Sequence, residues 1–423
     1  MTLFLNICII ICIIFYSITR LKNNYKLFYI MLYLYYQAIV TASSVAYIEE
    51  CNYISEQGRS GYFVGANFYF FIFFVLSVKI IEFGLVRLEG YSIKIPKLKY
   101  NKGNYDYFLS ISVGLLVFII LLINLFLSPS PILNPSIVTR FTYWENSTLS
   151  FLNSIVGNTS VFIPFIFGWI YTKHKKKGLI LLLLYIVYLI FIGQKFSPIV
   201  RSLYSFFMPI VLISNFNGEI RVLKFITFRN LIIFILMFSV VYFKYDQHNP
   251  FTRYGAESPI DAIIYRVFGL QGHLYWGSVE KFIFMGEPKS WDLSELYKGM
   301  HTLMRYFWFG DLDHIEGAMQ RGFSFTNAYP GILLRIFPLF FAYVAHSILL
   351  FLFYIPSAWL LKMAVEKRKY FMSFILFQCF NWISIAFIMA YFNKVIPFIL
   401  VFIFLIVFSC LAKLIVDNNS TEK

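Results

Sequence analysis

The chain has 423 residues, of which 59% are hydrophobic and 13% charged, with a mean hydropathy of +0.71. Soluble domains carry about twice that share of charge, so a water-soluble globular protein is excluded. Five cysteines form neither a zinc spacing nor a disulfide framework: Cys8, Cys12, Cys379 and Cys410 lie in apolar runs, and Cys51 alone lies in a polar loop.

Apolar runs long enough for a bilayer recur along the whole chain. They fall at 2–19, 27–48, 62–81, 107–128, 149–171, 178–193, 197–214, 228–243, 331–355, 371–392 and 396–415. The expected fold is therefore all-α: a polytopic integral membrane protein with about eleven transmembrane helices and one large external loop. The first run has no basic segment before it and no small-residue cleavage site after it, and reads as a retained helix. Three parts follow: 1–243 with eight spans, the loop 244–330, and 331–423 with three spans and a short tail.

The formal net charge of +15 is unevenly placed. Alternating the runs puts the clusters Arg20/Lys22/Lys26, Lys94/Lys97/Lys99/Lys102, Lys173/Lys175/Lys176/Lys177, Arg221/Lys224/Arg229 and Lys367/Arg368/Lys369 on one side, which carries the whole excess. That is a positive-inside signature. It predicts a cytoplasmic C-terminus and places 244–330 outside, and it leaves a nucleic-acid role without support. The chain shows no internal repeat, low-complexity tract or Walker-type glycine loop, so ATP is not the expected energy source.

Four external segments follow in chain order. Glu49 to Gly61 is short and acidic, and Glu49-Glu50 reads as an acid/base pair or as a charged flank. Residues 128–148 hold Pro129, Pro131 and Pro135 and are expected to be extended. Gly193-Gln194-Lys195-Phe196-Ser197-Pro198 is a tight hairpin, in which Ser197 can cap the next helix and Pro198 can take its first turn. Lys195 and Arg201 then stand at a helix start, where partial positive charge disfavours cations unless an anion is bound. The alternative is that both side chains snorkel to the interface.

The stretch 244–330 holds His248, His273, His301 and His314, four of the six histidines. Polar excursions of this length are usually functional. Ser258-Pro259-Ile260-Asp261 reads as a helix start, and Asp292 with Glu295 as a capping box. Two amphipathic helices near the membrane surface are expected. One carries Arg266, His273 and Glu280 at intervals of seven; the other carries Lys298, His301 or Thr302, and Arg305. A solvated face accounts for either stripe alone.

Arg253, Arg266, Arg305 and Arg321 are the external arginines here, and Arg335 lies one turn into the following run. Arginine suits bidentate phosphate contact. His273, His301 and His314 can titrate near neutrality, and Asp261, Glu257, Asp311 and Asp313 are the carboxylate choices for a base. His346, inside a membrane run, reads as functional or as a helix-packing hydrogen bond.

The many-span layout with one large late external loop resembles the O-antigen polymerases of the Wzy type, over most of the chain's length. The Gly193-to-Arg201 hairpin, Arg253-Tyr254-Gly255, Asp261 to Arg266, and Gly322-Phe323-Ser324-Phe325-Thr326-Asn327-Ala328-Tyr329-Pro330-Gly331 carry the resemblance. It implies a GT-C-like fold and a metal-independent glycosyltransferase, without cofactor, in the bacterial inner membrane with its loop in the periplasm. The growing chain leaves its undecaprenyl diphosphate and joins the non-reducing end of a new lipid-linked repeat unit. Partners are then those lipid-linked oligosaccharides, membrane lipids and a chain-length regulator protein. In that reading Arg253, Arg266 and His273 are catalytic, and Lys195, Arg201, Arg305 and Arg321 bind diphosphate. Competing readings are an O-antigen ligase, a polyprenyl-phosphate-sugar glycosyltransferase using Glu49-Glu50, and a flippase or transporter.

Overall fold

The computed structural model describes residues 2–89, 105–134, 136–138, 142–194, 196–214, 258–320 and 327–404. These are mostly helical. Five helices are long and apolar enough to cross a membrane: Thr2–Asn23, Ala66–Glu89, Tyr105–Leu127, Leu339–Glu366 and Tyr370–Met389. This is compatible with an all-α, multi-pass membrane protein. The run expected at 228–243 lies outside the described residues, and the last run is described only to 404.

The described residues fall into two units. The first takes those within Met1–Gly84, Phe216–Phe353 and Ser384–Lys394; the second takes those within Leu85–Asn215, Tyr354–Ile383 and Val395–Lys423. The described residues 258–320 fall in the same unit as the N-terminal helices.

The first unit opens with α1 (Thr2–Asn23), α2 (Tyr25–Ile30) and α3 (Leu32–Glu49). The chain breaks after α1 because Asn24 caps α2, its Oδ1 accepting from the Leu27 N–H at 3.1 Å. A two-stranded antiparallel hairpin, β1 (Tyr53–Ile54) and β2 (Arg59–Ser60), then leads to α4 (Ala66–Glu89). Glu49, expected as an external pair with Glu50, is instead buried. Its carboxylate accepts from the Val64 and Ala66 N–H groups and from Asn6 Nδ2, satisfying orphan donors at the start of α4.

In the second unit are α5 (Tyr105–Leu127), α6 (Asn153–Lys173), α7 (Lys175–Phe191) and α8 (Phe196–Ile213). A Cβ on Gly168 of α6 would lie 2.1 Å from the Phe206 carbonyl of α8, so only glycine allows these backbones their approach. Trp169 Nε1 donates to Ser373 Oγ at 3.1 Å.

The long stretch departs from two regular surface helices. Ser258 does cap α9 (Pro259–Ile264): its Oγ accepts from the Asp261 N–H and donates to the Asp261 carboxylate. A five-residue π-turn, Tyr265–Gly269, follows; then come α10 (His273–Val279) and a second π-turn, Glu280–Phe284. Every residue of α10 is buried. A non-helical turn at 270–272 separates Arg266 from α10, and His273 and Glu280, although seven residues apart along one helix, are both fully buried, so the three do not form one solvated stripe. Gly272 lets the turn before α10 close on α3, its N–H donating to Ser44 Oγ at 2.7 Å.

What holds these turns is the β-hairpin. Each π-turn begins with a side chain directed into it. Tyr265 Oη donates to Glu56 and accepts from the Ser55 N–H at 2.9 Å. Glu280 takes a two-pronged contact from Arg59, whose guanidinium also bonds Gln57 Oε1 and lies 5.1 Å from the Trp276 ring centre.

Further along lie α11 (Ser294–Lys298), α12 (Met300–Phe307), α13 (Leu312–Gln320), α14 (Gly331–Ile336) and α15 (Leu339–Leu349). The capping box expected at Asp292 is not formed: the N-cap of α11 is Leu293, without a side-chain cap bond. Asp292 accepts from the Ser294 N–H at 2.8 Å, but Glu295 turns to Arg335 instead, at 2.7 and 3.0 Å. The apolar run 331–355 breaks at Phe337, which is extended because a proline follows it. A π-turn (Leu350–Tyr354) carries α15 into α16 (Ile355–Glu366); α17 (Tyr370–Met389) and an apolar helix, α18 (Phe392–Phe404), complete the described chain.

Truncating Arg59 leaves the Glu280 carboxylate buried without its counter-charge. We expect Arg59→Ala to cost about 3–5 kcal/mol of stability. The double variant Arg59→Met/Glu280→Met should recover most of that loss, as read by thermal unfolding of the purified protein in detergent.

Candidate functional site

Three of the expected site residues, Lys195, Arg253 and Arg321, lie outside the described residues. Arg201 is in the first turns of α8, half-buried, with no ion pair among the described residues. The end of α7 before it is described as far as Gln194. Gly193 takes φ +75°, and the N–H groups of Gly193 and Gln194 close on the Ile190 and Leu189 carbonyls, ending α7. The helix then starts at Phe196, slightly ahead of the Ser197-Pro198 start expected from sequence.

Arg266 sits in the first π-turn, half-buried, with its carbonyl accepting from Gln271 Nε2 at 3.0 Å. His273 is fully buried. Gln57 Nε2 lies 3.4 Å from its Nδ1 and donates to its carbonyl at 3.0 Å. Burial pushes the imidazole pKa down to about 3, so the ring is neutral across the physiological range.

Arg305 and His301 come together on α12, one turn apart, with the half-exposed Arg305 paired to Glu316 of α13 at 3.0 Å. His301 is half-buried, its ring edge-on to Tyr391 at 5.2 Å. Burial first, and the Arg305 charge second, hold its pKa below the ordinary histidine value. The start of α12 is fixed by Gly299, at φ +60°, where an added Cβ would lie 2.2 Å from the Ala390 carbonyl. Thr302 Oγ1, beside His301, is a buried atom without a hydrogen-bond partner among the described residues. A neutral imidazole beside a guanidinium whose only shown counter-charge is a solvent-exposed carboxylate can accept a proton and bind an anion together. Exposed pairs of that kind are worth about 0–1 kcal/mol and exchange readily.

Arg335 is committed elsewhere. Its guanidinium is paired with Glu295 and lies 4.5 Å from the Tyr306 ring centre. His346 makes packing bonds. Ser77 Oγ donates to the Phe73 carbonyl and so receives from His346 Nε2 at 2.8 Å, while Nδ1 accepts from Tyr329 Oη at 2.6 Å. The adjoining cavity, between Gln37, Ser77, Tyr329 and His346, is about 30 Å³, the size of one water rather than a sugar.

Arg59, Glu56 and Gln57 were not singled out by sequence. Their only signal is a pair of lone charges in a short polar segment around Gly58.

Residues 293–405, which include α12 and the His301–Arg305 pair, match a family of unknown function, DUF6418. No curated protein and no solved structure matches the chain.

His273 makes stability pH-dependent. The unfolded chain takes up a proton there below about 6.5, whereas the folded chain refuses it down to about 3, so folding stability falls as pH falls through that window. We expect His273→Asn to flatten the drop in unfolding temperature between neutral and mildly acidic buffer; an unchanged slope would show that other groups set it.

Proposed function

We propose that the chain is a polysaccharide polymerase of the O-antigen type, acting at the periplasmic face of a bacterial inner membrane with about eleven spans and a GT-C-like arrangement. The observation that carries this reading is the His301–Arg305 pair on α12, set in a long polar stretch among membrane-length helices.

In the proposed reaction, a hydroxyl of the incoming lipid-linked repeat unit attacks the anomeric carbon of the growing chain. The bond from that carbon to the undecaprenyl diphosphate oxygen breaks as the new glycosidic bond forms. The hydroxyl proton goes to a base, and the diphosphate leaves with its charge held by arginines. Cations that bind this charge more tightly in the transition state lower the barrier. His301 suits the base because it is neutral and half-exposed, whereas His273 acts only through the placement of α10. Arg305 meets the diphosphate by exchanging Glu316 for it, with Arg253, Arg266 and Arg321 as further candidates for the same charge; Lys195 and Arg201, at the start of α8, are candidates for phosphate binding in the second unit.

Two competing readings are less well supported. The buried Glu49, occupied with the start of α4, favours a structural role over the acid/base pair that a polyprenyl-phosphate-sugar transferase would need. An O-antigen ligase would use the same donor and the same cations, and only its acceptor differs.

The test is the purified protein in liposomes with synthetic undecaprenyl-diphosphate-linked repeat units and no ion gradient. A ladder of longer chains on the lipid carrier is expected. His301→Ala should lower the rate by about 10²–10⁴, and Arg305→Gln by about 10²–10³. Removing the Arg305 charge also raises the His301 pKa, so the acid limb of the residual activity should move to higher pH. Failure to elongate, or full activity in both variants, would overturn the reading.

A further inference from the structure

The chain is irregular between the second π-turn and α11, and from the end of that turn into α11 it presents large apolar side chains outward: Phe284, Met285, Trp291, Leu293 and Tyr297, all about half-exposed or more. Trp291 is held there at a conformational cost. Its φ is +53°, in the left-handed region that a bulky side chain rarely occupies, and 58% of its surface is exposed. A soluble surface gains nothing from such a residue.

The segment is also pinned. The Ser290 N–H donates to the Arg335 carbonyl at 3.0 Å and the Trp291 N–H to the Ile336 carbonyl at 3.2 Å, so this backbone satisfies the open end of α14. Lys289 donates to the Phe282 carbonyl, and Glu295 holds Arg335. The indole then lies against Phe337 at 5.8 Å and Phe341 at 6.3 Å.

Phe341 belongs to the outward apolar stripe of α15, with Phe340, Val344 and Ile348, which Phe351 continues in the π-turn. Leu339–Glu366 is a 28-residue apolar helix, long enough to cross a membrane, and such an outward stripe suits lipid. At 1.5 Å per residue such a helix is about 42 Å long, more than the hydrocarbon core, so its first turn reaches head-group level. The Trp291 surface continues the lipid-facing surface at that turn. Between its apolar members stand the exposed polar residues Ser290, Asp292 and Ser294, which fixes the depth at the head groups rather than the acyl interior.

We propose that residues 284–297 form a foot seated in the lipid head-group layer at the Leu339 end of α15, with bilayer lipid as its occupant and Trp291 as its anchor. Its backbone can lie in the interface because Ser290 and Trp291 are bonded to α14. The foot ties the short helices α11 and α12 to a fixed depth in the membrane, and it does so whatever reaction the protein performs.

The test uses the full chain in vesicles of phosphatidylcholine brominated either near the head-group end or near the methyl end of its acyl chains. The emission of Trp291 is taken as the difference between the wild type and Trp291→Phe. We expect it to lose most of its intensity to the shallow bromine, less to the deep bromine, and little to aqueous iodide. Stronger deep quenching would overturn the head-group placement. No bromine quenching with iodide access would show a solvent surface. Protection from bromine and iodide alike would show a protein partner or a second copy; either result overturns the foot. If Trp291→Phe elutes as misfolded protein, Trp291→His with Leu293→Trp reads the same surface from the adjacent apolar position, with the same outcomes.

Discussion

The Glu280 carboxylate is fully buried, and a charge in that position is tolerated only with a partner brought to it. Arg59 is that partner, and it comes from a two-stranded hairpin more than two hundred residues earlier in the chain. Because the contact is two-pronged, and the guanidinium is further fixed by Gln57 and Trp276, it sets position and rotation together. α10 can then be buried on every side. From it the chain proceeds to the second π-turn, the foot and α12, so the placement of His301 and Arg305 depends on a pair that is not itself at the site.

The two π-turns show how the pair acts on the helix. Tyr265 and Glu280 each open a five-residue turn and each reach the hairpin. A wider turn admits one extra residue and shifts every later side chain around the axis. The residues after each turn therefore face directions that uniform spacing does not give. Arg266, inside the first of these turns, is half-exposed, while His273, beyond the non-helical turn at 270–272, is sealed inside.

Arginine does two kinds of work in the first unit. Arg59 and Arg335 are held by carboxylates that are buried or nearly so, Glu280 and Glu295, and each also lies against an aromatic ring. Removing either from its partner strands a buried charge. Arg305 meets a carboxylate as exposed as itself, and screening by water makes that contact easy to exchange. Burial of the partner, rather than the identity of the cation, separates an arginine locked into the fold from one whose contact water can exchange.

Much of the architecture was legible in the sequence, because membrane length and apolar composition are properties of contiguous residues. The break at Asn24, the glycine turn at Gly193 and the Ser258 cap are local chemistry, and each can be read from a few neighbours, whereas the run 331–355 was read as unbroken across Pro338. The pairing of His301 with Arg305 was also foreshadowed, since four residues make one helical turn. The sealing of His273, the π-turns, the diversion of Glu295 from its capping box to Arg335, and the occupation of Glu49 by the start of α4 were not legible. Each depends on a partner far along the chain. A short polar segment shows its charges in sequence, but only tertiary packing decides which of them must be neutralised by another charge and which can be left to water.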